Sequence, residues 1–314
     1  MNLSLSIAQI KNFLEIQNVT FTMEGPQNNE ASYQLASIKS LINNGIYYLV
    51  AEYYTTNLKI ENSILFTDKY ISELSSNLQI IVHNPQLIFY KLCGHFQVED
   101  ARGIHPTAIL SNVELGENVS IGAYCVLSNC KLGNNTTIHS HVTINRDVVI
   151  GESVEIQSNS CIGASGMAWI WDDNGERVIQ PQLGGVIIED HCKLGTDITI
   201  VRGSLSENTR IGRGTLMAHG SKVGHGCQIH ENVHFANNVS LAGNAIIEES
   251  VFLGSGCVVS SNITISKGCI VGAGAVVNKN FNKEYVTLAG VPASIIRENN
   301  YESKPKGAPK PIKK

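Results

Sequence analysis

An apolar residue that returns at every sixth position restricts the fold of this chain more than any other feature of its sequence. In the second half the step runs, with one break, through Ile188, Leu194, Ile200, Ile211, Met217, Val223, Ile229, Phe235, Leu241, Ile247, Leu253, Val259, Ile265, Val271 and Val277. An earlier run, with a one-residue slip, comprises Leu115, Ile121, Leu127, Leu132, Ile138, Ile144, Ile150, Ile156 and Ile162. This period indicates a repeat architecture of short strands joined by corners.

Glycine often follows the repeated apolar residue. The positions are Gly116, Gly122, Gly133, Gly151, Gly163, Gly195, Gly212, Gly224, Gly254 and Gly272. We expect these glycines to supply an unusual backbone conformation at tight corners. Three steps of six would form one triangular coil of eighteen residues, and each coil would bury its aliphatic stack only against the next coil. The sequence therefore predicts a β-solenoid over residues 104–288 whose two ends need caps.

The composition excludes several other classes of protein. Of 314 residues, 43% are apolar and 16% are charged, as is ordinary for a soluble globular protein. The apolar runs are short and the amino end lacks the pattern of a leader, so we expect no integral membrane segment and a cytoplasmic location. The formal net charge is −4, and no basic stripe interleaved with aromatic residues occurs. We therefore expect no nucleic acid partner.

The eight cysteines follow the repeat and form no C-x-x-C motif. Five of them share one phase at which small side chains should point inward: Cys125, Cys192, Cys227, Cys257 and Cys269. This phase predicts small core residues and not ligands. Since no other ligand cluster has credible spacing, we expect no metal site.

Residues 1–103 lack the six-residue step and are typical of a small α/β domain. The segment "IAQIKNFLEI" has helical spacing, whereas "GIYYLVAEYY", "SILFTD" and "LQIIVH" have the character of strands. Asn84 and Pro85 should begin a second helix, because Asn is a good N-cap and Pro suits the first helical position.

Two segments interrupt or end the repeat. Residues 163–187 form an excursion that contains both tryptophans, and excursions of this kind commonly serve a binding face. The same excursion could instead pack on its own coil or on a neighbouring subunit. Residues 289–314 are predicted to form a cap with a short helix, followed by a disordered basic tail with five lysines and three prolines.

Several stretches together resemble the hexapeptide-repeat acyltransferases, and in particular the UDP-3-O-acylglucosamine N-acyltransferases of lipid A synthesis. They are "HNPQLIFYKL" before "IHPTAIL", the end of the excursion "IQPQLGGVII", and "IVRGSLSENTRIG" followed by "KVGHG". The resemblance implies a mainly β fold: a left-handed parallel β-helix with a small N-terminal α/β domain and a short C-terminal helical cap. It also implies a homotrimer.

The resemblance further implies transfer of an acyl group from a thioester, on acyl carrier protein or coenzyme A, to the amine of a nucleotide-linked aminosugar, without a metal or other cofactor. His225 matches the general base of that family. Gly243, eighteen residues later and thus one coil above, matches the glycine whose N–H binds the oxyanion. His219 is an auxiliary candidate that could approach a site across a trimer interface.

The predicted acceptor-binding residues are aromatic. Tyr48 and Tyr54 match an aromatic clamp for the nucleotide base in the N-terminal domain, although buried structural tyrosines are an equally good interpretation. Trp169, in the excursion, is the third acceptor-binding candidate.

Three positions depart from the pattern of that family. Ala218 stands where the family has an aspartate that would orient the base, and Asn262 stands where it has a second histidine. In the N-terminal domain Ala51 replaces an asparagine of the nucleotide-binding motif. These departures leave open which group orients His225 and whether the nucleotide contains uracil.

Four functions therefore remain open. The first two are a lipid A enzyme that uses acyl carrier protein, and an acyl-CoA-dependent N-acyltransferase for a dTDP- or UDP-linked aminodideoxysugar of a surface polysaccharide. The third is a zinc hydratase of the γ-carbonic anhydrase type, which would use His225, His230 and a third histidine near Glu189 and His191. The fourth is an inactive scaffold on the same solenoid.

Overall fold

A computed structural model describes residues 4–54, 59–97 and 103–299 of the chain. The chain divides into two compact units, residues 1–100 and 101–314, so the boundary lies three residues before the one expected from the sequence. The predicted disordered tail, residues 300–314, lies outside the described residues. No helix in the described ranges is long and apolar enough to cross a membrane.

The first unit is an α/β domain around a six-stranded sheet with strand order β1-β3-β4-β5-β6-β2. Strands β3 to β6 are parallel, and β1 and β2 pair antiparallel at the two edges. Its elements are β1 (Ser4–Leu5), α1 (Ile7–Ile16), β2 (Thr22–Glu24), β3 (Tyr33–Leu35), β4 (Gly45–Leu49), a 3₁₀ turn (Ala51–Tyr53), β5 (Ile64–Thr67), a second 3₁₀ turn (Ser72–Leu74), β6 (Leu78–Ile81) and α2 (Pro85–His95).

Both helices begin at the caps that the sequence provides. Ser6 and Gln9 form a reciprocal capping box at the start of α1, in which each side chain accepts from the backbone N–H of the other residue. At α2 the Asn84 side chain accepts from the backbone N–H of Leu87 at 3.1 Å, and Pro85 occupies the first turn. These contacts confirm the second helix and its start.

The second unit is the solenoid. Its strands are β7 (Ile109–Leu115), β8 (Ser120–Ile121), β9 (Val126–Leu132), β10 (Thr137–Ile138), β11 (Thr143–Ile144), β12 (Val148–Ile150), β13 (Glu155–Ile156), β14 (Cys161–Ala164), β15 (Trp169–Trp171), β16 (Arg177–Ile179), β17 (Val186–Ile188), β18 (Lys193–Leu194), β19 (Thr199–Val201), β20 (Thr209–Ile211), β21 (Leu216–Met217), β22 (Lys222–Val223), β23 (Gln228–Ile229), β24 (His234–Phe235), β25 (Ser240–Leu241), β26 (Ile246–Ile247), β27 (Phe252–Leu253), β28 (Val258–Val259), β29 (Thr264–Ile265), β30 (Ile270–Val271), β31 (Val276–Val277), β32 (Val286–Ala289) and β33 (Ser294–Glu298).

These strands stack into three parallel faces. Face A runs through β8, β10, β13, β18, β21, β24, β27, β30 and β32. Face B runs from the first half of β9 through β11, β14, β19, β22, β25, β28 and β31, and face C from its second half through β12, β17, β20, β23, β26 and β29. The B–C corner, where faces B and C meet, consists in successive coils of residues 128–129, 145–147, 202–208, 224–227, 242–245 and 260–263. The excursion, residues 165–185, leaves from this corner.

The repeated apolar residues fill the interior of the solenoid, as predicted. All of them are at most 3% exposed except Leu115, which is 38% exposed because it lies in β7, at the open end of the stack. The five cysteines of the common phase are also buried, and burial raises the pKa of the Cys192 and Cys257 thiols to about 12. They are therefore core residues, as the phase predicted.

The role expected of the glycines after the apolar residues was wrong for most of them. Gly224 does not adopt a positive φ, and a Cβ there would lie 2.7 Å from the backbone nitrogen of Gly243 in the next coil. The left-handed conformation occurs two residues later, as at Gly226 (φ 67°) and Asn244 (φ 60°). The repeated glycine is required because adjacent coils approach closely, while the residue two positions on makes the turn.

The predicted C-terminal helical cap was also wrong within the described residues. After face B ends at β31, strands β32 and β33 pair antiparallel around Gly290, which has a φ of 99°. β-Branched residues such as Val286 and Thr287 favour this extended pairing. The hairpin continues face A and covers the last coil, so it caps the solenoid in place of the expected helix.

We predict that the stacked interior determines the stability of the solenoid. Phe235 is fully buried on face A, and Phe235→Ala should lower the free energy of unfolding by about 3–5 kcal/mol, since it leaves a cavity between coils. Leu216, 42% exposed on the same face, provides the control, and Leu216→Ala should cost much less. Denaturant unfolding followed by circular dichroism measures both. Equal losses in the two variants would contradict the packed interior.

Candidate active site

His225 and Gly243 lie one above the other at the B–C corner. His225 is in the turn between β22 and β23, and Gly243 is in the equivalent turn of the next coil. The register of β22 and β25 pairs Val223 with Leu241, which places Gly243 directly beside the imidazole. The Nε2 atom of His225 occupies the space that a Cβ at position 243 would need. Any side chain at this position would displace the imidazole ring from the place it occupies here.

The backbone N–H of Gly243 differs from its neighbours in its hydrogen bonding. The flanking N–H groups are engaged, since Ala242 donates to Val259 O at 2.9 Å and Asn244 donates to His225 O at 2.7 Å. Within the described part of the chain, no acceptor is found for the Gly243 N–H. This donor is therefore available to a bound oxygen atom beside Nε2.

A serine from the preceding coil faces the other nitrogen of the imidazole. The Oγ of Ser204 lies 3.0 Å from Nδ1 of His225. Ser204 belongs to the loop 202–208, which joins β19 to β20. An Nδ1–H that donates to this oxygen would leave Nε2 free to accept a proton on the side of Gly243.

Glu207 fixes the loop that carries Ser204. Its carboxylate accepts from the backbone N–H of Ser204 at 2.5 Å and from that of Leu205 at 3.1 Å. The pKa of Glu207 is lowered, first by a hydrogen bond to its own backbone, then by these two N–H groups and by His225. Ser204 and Glu207 were missed from the sequence. The Ser-x-x-Glu spacing of the capping box was the signal that could have found them.

The auxiliary candidate His219 lies elsewhere. It is exposed at the corner between faces A and B, and its Nδ1 accepts from the backbone N–H of Thr196 at 3.0 Å. The neighbouring Ala218 lies at that same corner. Within one chain the structure therefore does not bring His219 to His225, and His219 instead holds the backbone of the preceding coil.

Asn262 does lie at the B–C corner. It is one coil beyond Gly243, and its backbone N–H donates to Gly243 O at 3.1 Å. Its left-handed backbone, with a φ of 60°, makes the turn of its own coil. The corner thus carries Ser204, His225, Gly243 and Asn262 on four successive coils.

Tyr48 and Tyr54 are not brought together, so the predicted clamp between them is corrected. Tyr48 lies on the helix side of the sheet, with ring centroids 5.3 Å from Phe89 and 6.0 Å from Tyr90. Tyr54 packs with the cluster around Tyr47, on the other face of the sheet. Consecutive residues of β4 point to opposite faces, which separates the two groups.

Tyr48 by itself does face a cavity of about 450 Å³ on the helix side of the sheet, lined also by Lys39 and Tyr90. Burial raises the pKa of Tyr48. Ala51 lies just beyond the C-terminal end of the same strand, where its N–H donates to the Asp68 carboxylate at 2.7 Å. The structure thus leaves Tyr48 as an acceptor-binding candidate without Tyr54.

Trp169 lies in a projecting hairpin, formed by β15 and β16 within the excursion. Its ring is 44% exposed and lies edge-on to Trp171, with the centroids 4.9 Å apart. The Arg177 guanidinium lies 4.5 Å from the centroid of Trp169. A cation therefore already covers one face of this ring.

The candidate metal ligands of the zinc hydratase hypothesis lie at different corners of the solenoid. His225 is at the B–C corner, whereas His230 is at the corner between faces C and A, and Glu189 forms an ion pair with Arg210. In the residues that the structure describes, no three histidine, cysteine or acidic side chains are close enough to hold a metal ion.

Comparisons with known proteins show what this solenoid is similar to. The model of the bacterial transferase hexapeptide repeat (six repeats) matches residues 129–164. The solved UDP-N-acetylglucosamine O-acyltransferase of Moraxella catarrhalis is similar, with a TM-score of 0.57 and 29% identity over 62% of this chain and 74% of that chain. The solenoid is a left-handed β-helix of hexapeptide repeats. The predicted left-handed β-helix is thereby confirmed, apart from the helical cap. The left-handed β-helix of the Campylobacter jejuni UDP-N-acetylglucosamine acyltransferase shows the same fold, with a TM-score of 0.54 at 24% identity, covering 62% of this chain and 73% of that chain.

Curated relatives match part of the chain. The UDP-3-O-acylglucosamine N-acyltransferase of Coxiella burnetii (strain Dugway 5J108-111) is 32% identical over 183 residues, which are 51% of this chain and 53% of the relative. The enzyme of the same name from Pseudomonas aeruginosa is 37% identical over 161 residues, 44% of this chain and 45% of the relative. The chain thus spans about half the length of the curated relatives it matches. The resemblance inferred from the sequence is confirmed to that extent.

We predict that Ser204 selects the tautomer of His225. Wild-type protein should hold the imidazole as the Nδ1–H form, because Ser204 Oγ can accept that proton. Ser204→Ala should shift the population towards the Nε2–H form, as measured by ¹⁵N NMR of histidine-labelled protein above the titration range of the imidazole. Ser206→Ala, an exposed change in the same loop, is the control. An unchanged tautomer ratio in Ser204→Ala would contradict this role.

Proposed function

We propose that this protein is an N-acyltransferase that moves an acyl group from a thioester donor to the amine of a nucleotide-linked aminosugar. The observation that carries the proposal is the stack of Ser204, His225 and Gly243 at the B–C corner. It combines a base whose outer nitrogen is free with an unpaired N–H donor beside it. The substrate class rests on the names of the curated relatives, which are UDP-3-O-acylglucosamine N-acyltransferases.

In the proposed reaction the substrate amine attacks the thioester carbonyl carbon. Nε2 of His225 accepts the amine proton as the new C–N bond forms, and the Gly243 N–H stabilises the negative oxygen of the tetrahedral intermediate. The C–S bond then breaks, and the protonated imidazole returns the proton to the departing thiolate. Thiolate is a competent leaving group, so no step needs a metal ion.

The N-terminal domain favours keeping a second candidate of the same reaction type. Because Tyr48 and Tyr54 lie on opposite sides of the sheet and Ala51 contacts Asp68, the sheet does not support the uracil clamp expected from the resemblance. An acyl-CoA-dependent N-acyltransferase for a dTDP- or UDP-linked aminodideoxysugar of a surface polysaccharide therefore stands beside the lipid A enzyme. Turnover of acyl carrier protein and coenzyme A thioesters against both acceptor classes distinguishes them.

We propose that the active protein is a homotrimer. The hairpin of the excursion exposes a group of apolar side chains that a single chain leaves uncovered: Met167, Trp169, Ile170, Trp171, Val178, Ile179 and Leu183. A patch of this kind on a rigid solenoid indicates a contact with another chain. Three chains would give three equivalent sites, each next to a neighbouring solenoid.

Trimerisation predicts a sedimentation mass of about three times the 34.0 kDa of one chain at micromolar concentration. Ile170 is 69% exposed in the hairpin, and Ile170→Asp should weaken the assembly because it places a charge in the proposed contact. A stable wild-type monomer under these conditions would rule the trimer out.

The general-base role of His225 predicts a large loss of turnover. His225→Ala should lower kcat by about a hundredfold or more, the usual scale for a positioned base, with a smaller effect on acceptor binding. His219→Ala is the matched control and should cost much less, because His219 bonds to the backbone at another corner. If His225→Ala remains trimeric and turns over within about threefold of wild type, a difference under ~1 kcal/mol, the assignment fails.

A further inference from the structure

A second cavity lies on the same corner as His225, towards the N-terminal end of the solenoid. It has a volume of about 310 Å³ and is formed by the B–C corner together with the end of the excursion. Its lining includes Arg146, Gln182 and Arg202. None of them takes part in the proton transfer described above.

Two buried side chains in this cavity each have a donor without a partner. Arg202 and Gln182 are both 3% exposed. Among the described residues, the Nε of Arg202 and the Nε2 of Gln182 have no hydrogen-bond acceptor. Buried donors in native proteins are nearly always satisfied, so two of them lining one cavity indicate an acceptor that binds there.

The other ends of both side chains are fixed. The amide oxygen of Gln182 accepts from the backbone N–H of Gly166 at 2.8 Å, which leaves its NH₂ group as the outward donor. A terminal nitrogen of Arg202 donates to the backbone oxygen of Arg146 and lies 3.6 Å from the Asp147 carboxylate. The two free donors are therefore held in place and do not depend on mobile side chains.

The charge of the cavity favours an anion. Arg146 and Arg202 contribute two positive charges. Among the residues that the structure describes, the Asp147 carboxylate is the one acidic group paired with them. Burial, and then the nearby Arg146, lower the pKa of Arg202. An oxyanion would pair with both arginines and accept from both free donors.

The backbone places the cavity next to the proposed active site, because Arg202 and Ser204 lie in one loop. Arg202 begins the loop that carries Ser204 two residues later, and Ile200 in β19 pairs with Val223 in β22. The coil of Arg202 is thus next to the coil of His225. Parallel strands lie about 4.8 Å apart, so a ligand that lies along this corner can contact both sites.

We propose that this cavity binds a phosphate group of one of the two substrates. The proposal rests on the acyltransferase function, because both of its substrates carry phosphate: the nucleotide-linked acceptor has a diphosphate, and a pantetheine thioester has a phosphate at the end of its arm. In either case a phosphate oxygen would accept from Arg202 Nε and Gln182 Nε2.

The sharpest test is Gln182→Glu. The new carboxylate keeps an acceptor for the Gly166 N–H and can pair with Arg202, so the fold should be retained, but it places negative charge where the phosphate would lie. Gln180→Glu is the matched control, since it adds the same charge to the same loop at a residue that does not line the cavity. Thermal unfolding of both variants verifies the fold.

Binding is measured by calorimetry with two probes, uridine diphosphate and coenzyme A. We expect Gln182→Glu to weaken one of them by about tenfold or more and Gln180→Glu to leave both within about twofold. Loss of uridine diphosphate binding alone would assign the cavity to the acceptor, and loss of coenzyme A binding alone would assign it to the donor. Unchanged affinity for both probes in Gln182→Glu, or binding of neither probe by the wild type, would overturn the proposal.

The outcome is separable from that of the acyltransferase function. A phosphate probe that binds in a Gln182-dependent way to a protein without acyl transfer would refute the function and leave the anion site standing. Acyl transfer that depends on His225, combined with unchanged probe affinities in Gln182→Glu, would refute only the site.

Discussion

Parallel hydrogen bonding between successive coils is the interaction on which the rest of this structure depends. Each coil is covered only by its neighbours, so an apolar residue such as Leu115 at the first coil stays exposed, while its equivalents further along are buried. The same spacing leaves no room for a Cβ at Gly224. At the other end, the antiparallel pairing of β32 and β33 provides the cover that another coil would have given.

The stacking of coils also builds the candidate site. Ser204, His225 and Gly243 come from three successive turns of one corner. Backbone hydrogen bonds between coils position His225 and Gly243, and the Glu207 carboxylate holds the loop that carries Ser204. The His225 ring fits because position 243 has no side chain. In the proposed reaction, a base and an oxyanion donor held in this way lose little free energy to reorganisation when charge develops.

Each of the two units has a cavity whose lining follows from its own architecture. In the sheet of the first unit, alternation along β4 sends Tyr47 and Tyr48 to opposite faces, and Tyr48 lines a cavity on its face. In the solenoid, the excursion returns to the corner through Gln182 and meets Arg202 there. The interruption of the repeat thus adds Gln182 to the polar groups that the corners of neighbouring coils already provide.

The sequence by itself determined the features that follow from the six-residue repeat. It predicted the buried stack, the inward cysteines and the pairing of His225 with Gly243, because eighteen residues make one coil where the repeat is uninterrupted, as it is between β22 and β25. Tertiary structure alone decided three other points. Ser204, and not a group near Ala218, lies 3.0 Å from His225 Nδ1, Tyr54 is separated from Tyr48, and the last described segment forms a hairpin where a helix was expected. These depend on loop paths, on sheet alternation in three dimensions and on pairing with a distant strand, none of which a local pattern specifies.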